Sequence, residues 1–207
     1  MARGRPRCSA QEISSWKVTD VLRQLAGGDR RSIGASNHVV RRVLADRSTL
    51  KTIIGGITSQ DAIVRMRCAD VAEKVSVVHP DWLQPRKKAL LRLAACVEQR
   101  ELRWHLAQML PRLVLSAPER RLAAQLLHGY LHDRSTIVRV CSMEGLACFA
   151  ENDSRLRTRL LPLFETLRRT GSPAIRARAR KLIARLGPLV GQSPRRNRRS
   201  INAVIQP

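Results

Sequence analysis

Aromatic residues are scarce, at 3% of 207 positions, so a core has to be built from Leu, Ile, Val and Ala. At 43% hydrophobic residues there is enough of that material to bury. Such a palette suits packed helices, whereas strands favour β-branched and aromatic side chains. No apolar run approaches the roughly 18 residues that a membrane span needs. The basic start (Arg3, Arg5, Arg7) is not followed by the apolar stretch of a signal peptide. The expected compartment is therefore the cytoplasm, or the nucleoid or nucleus if the chain binds DNA. The five cysteines include no C-x-x-C pair, and Cys68, Cys96, Cys141 and Cys148 fall inside helical patterns. They read as reduced thiols, with no zinc site and no cofactor expected.

Carboxylates are missing most where cations are dense. Residues 1–51 hold 11 basic and 4 acidic side chains, 52–165 hold 17 and 12, and 166–207 hold 11 and none. The net charge is +23, a field that attracts nucleic acid, acidic protein or anionic lipid. Arginine outnumbers lysine 33 to 6, which codon usage could produce, but codon usage does not remove carboxylates.

What is present is a repeat. Val64-Arg65, Leu102-Arg103, Val138-Arg139 and Ile175-Arg176 recur with 38, 36 and 37 residues between the arginines. Counting from each leading apolar residue, offset 4 holds Cys68, Leu106, Ser142 and Ala179. Offset 8 holds Ala72, Leu110, Leu146 and Ile183, and offset 11 holds Val75, Leu113, Phe149 and Leu186. Offsets 0, 4, 8 and 11 share one face of a helix. A further helix is predicted before each, most clearly over 85–98, 118–132 and 154–169, with Pro85 and Pro118 suited to first turns. The unit is a helical hairpin that cannot bury its face alone and must stack. The expected organisation is a basic flexible arm at 1–15 and a helical array at 16–187. The array divides into a cap at 16–45 and repeats near 46–79, 82–115, 117–150 and 153–187. A basic disordered tail follows at 188–207.

The run Asp61-Ala62-Ile63-Val64-Arg65, then Cys68-Ala69 and Val75, resembles the second helix of a HEAT repeat, within the armadillo-like class. VRMRCADVAEKV and RWHLAQMLPRL are similar to uncharacterised bacterial HEAT-repeat proteins. The resemblance covers roughly 46–187 and implies an all-α fold, a right-handed α-solenoid of four to five hairpins. It brings no function with it. Some alkylpurine DNA glycosylases are built from such repeats and need a concave carboxylate beside aromatic and Arg side chains. Asp70 with Trp104 and Arg103 is the nearest set, and no motif fixes it.

Several candidate binding residues follow. The column Arg65, Arg103, Arg139 and Arg176 reads first as packing and ion pairing between repeats. Offsets 3 and 10 lie on a flank away from the core and hold Arg67 and Lys74, His105 and Arg112, Cys141 and Cys148, and Arg178 and Arg185. This strip could follow a phosphate backbone or be an ordinary solvated face. Trp104, with His105 beside it, could anchor a base or a peptide on the concave face, or pack on a neighbouring helix. His128 and His132 have i, i+4 spacing, but Gly129 replaces the glutamate of the zinc-protease motif. In the ends, Arg3-Gly4-Arg5-Pro6 is similar to the core of an AT-hook. Ser193-Pro194-Arg195-Arg196 resembles the Ser-Pro-basic-basic motif of histone tails, and Arg198 and Arg199 follow it. Both kinds of motif favour narrow minor grooves. The expectation is a monomeric, non-enzymatic scaffold that binds DNA or RNA through its basic ends and strip. A protein–protein adaptor is the alternative.

Overall fold

The computed structural model describes residues 20–29 and 31–187, and every regular element among them is helical. Residues 20–25 form α1, followed by α2 (Ser36–Ala45), α3 (Leu50–Gly56), α4 (Ala62–Val78), the short α5 (Pro80–Leu83) and α6 (Lys87–Cys96). Then come α7 (Arg100–Met109), α8 (Ala117–Tyr130), α9 (Thr136–Glu151), α10 (Ser154–Thr170) and α11 (Pro173–Leu186). No helix among the described residues is long and apolar enough to cross a membrane. The expected arm at 1–15 and tail at 188–207 lie outside the described residues, as do positions 16–19 of the expected cap.

Local chemistry sets the helix starts. Asp61 caps α4 by accepting from the N–H groups of Ile63 and Val64 at 2.7 and 3.3 Å. Ser116 and Glu119 form a reciprocal capping box on α8. Ser135 and Asp153 cap α9 and α10. The sequence pattern carries the second register helix to offset 11, but α7 stops at Met109. Pro111 has no N–H to give, so Leu110–Arg112 close as a 3₁₀ turn. Pro85 likewise sits in a 3₁₀ turn, Gln84–Arg86, so α6 begins two residues later than its proline suggests.

The second helices form a row in chain order: α2 packs on α4, α4 on α7, α7 on α9 and α9 on α11. The first helices cover them, with α3 on α4, α8 on α9 and α10 on both α9 and α11. Offsets 0, 4, 8 and 11 are the buried face throughout, and of those sixteen side chains only Ile183 is less than fully buried. Contact is close enough that Gly145 in α9 admits no side chain. A methyl group there would stand 2.7 Å from the Ala107 carbonyl oxygen and from Leu127 Cδ1.

The first helices are not equally closed over this row. Between α6 and α8, Lys87 Nζ meets Glu119 Oε2 at 2.7 Å and Tyr130 donates to the Ala94 carbonyl at 2.5 Å. No hydrogen bond or ion pair joins α8 to α10 among the described residues, and a groove of about 620 Å³ lies between them.

Candidate functional site

The strip at offsets 3 and 10 is where the rows of helices join, and its cations are already committed. Lys74 Nζ binds Asp70 Oδ2 and Asn37 Oδ1, both at 2.8 Å. Arg112 reaches back to α4, pairing with Glu73 Oε1 at 2.7 Å and donating to Ser76 Oγ at 2.7 Å. Arg178 pairs with Glu144 Oε2 at 2.6 Å, while Arg185 pairs with Glu144 and with Glu151, the latter at 3.1 Å. Even where the strip is uncharged the direction holds, because Cys141 Sγ accepts from Gln108 Nε2 at 3.3 Å. Offset 3 of one segment faces offset 6 of the segment before: His105 with Asp70, Cys141 with Gln108, Arg178 with Glu144.

Arg67 departs furthest from expectation. It is 3% exposed, and its guanidinium donates to the carbonyl oxygens of Leu25, Ala26, Gly27, Asp29 and Ser32 at 2.7–3.4 Å. It closes the C-terminus of α1 and the turn after it, and no phosphate can reach it. A wheel with a single core face places it on a flank, but α4 is packed on three sides, by α2, α3 and α7.

The concave-face anchors are also inside. Trp104 is half-buried against the core, its ring edge-on to His105 at 5.5 Å. His105 is 8% exposed, and burial holds its imidazole down at about 4, against the raising influence of Asp70 and Glu101. Its Nδ1 and the Oε2 of the buried Glu101 have no hydrogen-bond partner among the described residues. In the set Asp70, Trp104 and Arg103, both charged members already have partners. Asp70 is held by Lys74, and Arg103 donates to the Val97 carbonyl and to Asp133 at 2.8 and 2.7 Å. In the arginine column, Arg65 likewise joins neighbouring segments, through Gln99 and the carbonyls of Ser59 and Gln60. Arg139 and Arg176 have no partner among the described residues. No three His, Cys, Asp or Glu residues gather closely enough to hold a metal ion among the described residues. Arg3, Arg5, Arg7, Arg195, Arg196, Arg198 and Arg199 lie outside them.

Exposed cations without a side-chain partner among the described residues lie on both sets of helices: Arg176, Arg180 and Lys181 on α11, and a further group on the first helices. Lys88 and Arg92 on α6, Arg121 on α8, and Arg155 and Arg159 on α10 are exposed or half-exposed and unpaired among the described residues. Arg120 is half-buried and also unpaired. Four of these arginines, Arg120, Arg121, Arg155 and Arg159, line the α8–α10 groove. Its floor is apolar, formed by Leu146, Leu156, Leu160 and Leu163. The one carboxylate in the lining, Asp153, accepts from Leu156 N at 3.0 Å as the α10 cap. Sequence reasoning missed this face because it pooled these arginines into the net charge. The signal was present, as Arg155 and Arg159 stand i, i+4 in a helix that holds no carboxylate before Glu165.

These features define an all-helical protein in which the cations of the seams are neutralised and the exposed ones on the outer faces are not. No protein-family model matches the chain, and no curated protein matches its sequence.

Proposed function

We propose that the protein is a HEAT-like, right-handed α-solenoid that acts as a non-enzymatic scaffold and binds nucleic acid by neutralising phosphates. The observation that carries this reading is the division of its cations. Lys74, Arg112, Arg178 and Arg185 between second helices are matched by carboxylates, whereas Lys88 and Arg92 on α6 and Arg176, Arg180 and Lys181 on α11 are exposed and unmatched among the described residues. Unmatched guanidinium groups on a chain of net charge +23 displace counterions from a phosphate backbone. The basic ends add to that field, with the Arg3-Gly4-Arg5-Pro6 arm as a minor-groove element.

Fluorescence anisotropy with labelled duplex and single-stranded oligonucleotides tests it. With about five phosphates neutralised, log K falls against log salt with a slope of about −4 to −5. Deleting 1–8 and 190–207 makes the slope shallower by about 0.9 for each phosphate that is no longer neutralised, and removes any preference for A·T-rich duplex. Charge reversal of Lys88 and Arg92 weakens what remains. Absence of binding at about 50 mM salt overturns the reading.

A further inference from the structure

A second property does not depend on nucleic-acid binding. We propose that the groove between α8 and α10 is a docking site for an acidic amphipathic helix of a protein partner. The chemistry of its walls and floor differs, and the difference selects the occupant. The walls carry Arg120 and Arg121 from α8 and Arg155 and Arg159 from α10, while the floor between them is leucine. A nucleic-acid backbone uses the arginines but has nothing to place on leucines, and the lining contains no Phe, Tyr or Trp on which a base could stack. A helix with an apolar stripe flanked on both sides by carboxylates satisfies floor and walls together. That is the helix-in-groove mode of recognition, read as apolar anchors at i, i+3, i+4 and i+7.

The dimensions agree. Along α8 the lining runs from Ala117 to His128, a rise of about 16 Å, or three helical turns. Arg155 and Arg159 are one turn apart on the facing wall, so carboxylates one turn apart on a ligand helix meet both. Small residues on the α8 side, Ala117 and Ala124, leave room for large anchors from the partner. The two ends of the sequence do not match the groove: residues 166–207 contain no carboxylate, and 1–19 contain only Glu12. A second copy, at net charge +23, is repelled. The missing counter-charge belongs to a different molecule. Charges on the walls then set register and encounter rate, and the leucine floor sets affinity.

The test uses the full chain and three labelled probes at about 0.15 M salt, where surface charge is screened within roughly 8 Å. One probe is a designed Leu/Glu peptide of four turns with its leucines on one face. The second has the same composition with the leucines scattered. The third is a single-stranded oligonucleotide. The amphipathic peptide is expected to bind at least about tenfold tighter than the scattered one. Arg121→Glu with Arg159→Glu, both on the groove walls, removes that advantage. Arg155→Glu also weakens the peptide, and because it puts an acid in the first turn of α10 it favours the helix rather than unfolding it. Leu163→Gln weakens the amphipathic peptide and leaves oligonucleotide binding unchanged. Equal binding of the two peptides, or insensitivity to the charge reversals, overturns the proposal. So does an oligonucleotide that displaces the amphipathic peptide from the wild-type chain and loses this ability with Arg121→Glu and Arg159→Glu, since the groove is then a phosphate site. Loss of oligonucleotide binding alone, with the peptide preference intact, overturns only the nucleic-acid reading.

Discussion

Replacing Arg67 by Met removes a buried charge while keeping most of its aliphatic stem. In the native chain no carboxylate lies within ion-pair distance of that guanidinium among the described residues. Its charge is balanced by five carbonyl oxygens, three of them (Leu25, Ala26 and Gly27) at the end of α1, where the helix dipole is negative. Gly34, at φ +52°, packs directly against the guanidinium, so the turn is shaped around it. Hydrogen bonds to a charged group contribute about 1.5–3 kcal/mol each when taken singly, and dismantling a buried charged arrangement costs about 3–5 kcal/mol. Residues 26–29 are exposed and their carbonyls can partly rehydrate, which places the loss at the lower end, about 3 kcal/mol. Lysine, with a compact ammonium and no planar fork, reaches fewer of the five oxygens and recovers only part of this. Urea denaturation followed by circular dichroism reads the change as a lower midpoint at constant slope. Hydrogen exchange is expected to show the fraying concentrated in 20–34. A loss under about 1 kcal/mol, together with a salt slope for oligonucleotide binding shallower by about 0.9, would refute the assignment and return Arg67 to a phosphate-contacting surface.

Two further outcomes follow from buried groups. The imidazole of His105 is held neutral, at about 4 against an ordinary 6.5, so folding excludes its proton. Stability is then fully present above about 6.5 and declines as the pH falls through 6.5 toward 4, by up to about 3 kcal/mol. Denaturation midpoints taken across that window should fall in the wild type and flatten in His105→Leu; an unchanged profile in the variant would assign the loss to other groups. Gly145→Ala tests the fit of α9 against α7 and α8. Helix propensity alone predicts a gain of about 1 kcal/mol, whereas the clash with the Ala107 carbonyl predicts a loss of about 1–3 kcal/mol. A raised melting temperature decides for propensity and against the packing.

The helical register was legible because it depends on one repeating requirement, an apolar face against a partner helix. Val64, Leu102, Val138 and Ile175 and their followers met it in every segment. The flank was not legible, because a helical wheel has one core side and α4 has three neighbours. Met66, Arg67 and Asp70 are all buried there beside the expected face. Pairing offset 3 with offset 6 of the segment before would have exposed this, since Arg178 then meets Glu144 and His105 meets Asp70. The groove was hidden for a different reason. It arises from the spacing between two first helices, α8 and α10, and the repeat register of the second helices does not encode that spacing. Leu160 is a core residue and Leu156 and Leu163 pack against that core, yet all three also line the groove.

The seams between second helices also have a direction. In the charged pairs of the strip the later helix supplies the cation and the earlier one the carboxylate, as Arg112 does to Glu73 and Arg178 to Glu144, whereas Arg103 and Asp133 pair in the opposite direction outside the strip. Neighbouring modules are therefore not interchangeable, because reversing two of them would set like charges face to face. At α11 the rule meets its end. Offset 6, which is Asp70, Gln108 and Glu144 in the earlier segments, is Lys181 there, exposed to solvent. A helix that presented a basic residue to Lys181, as Arg178 is presented to Glu144, would be repelled rather than received.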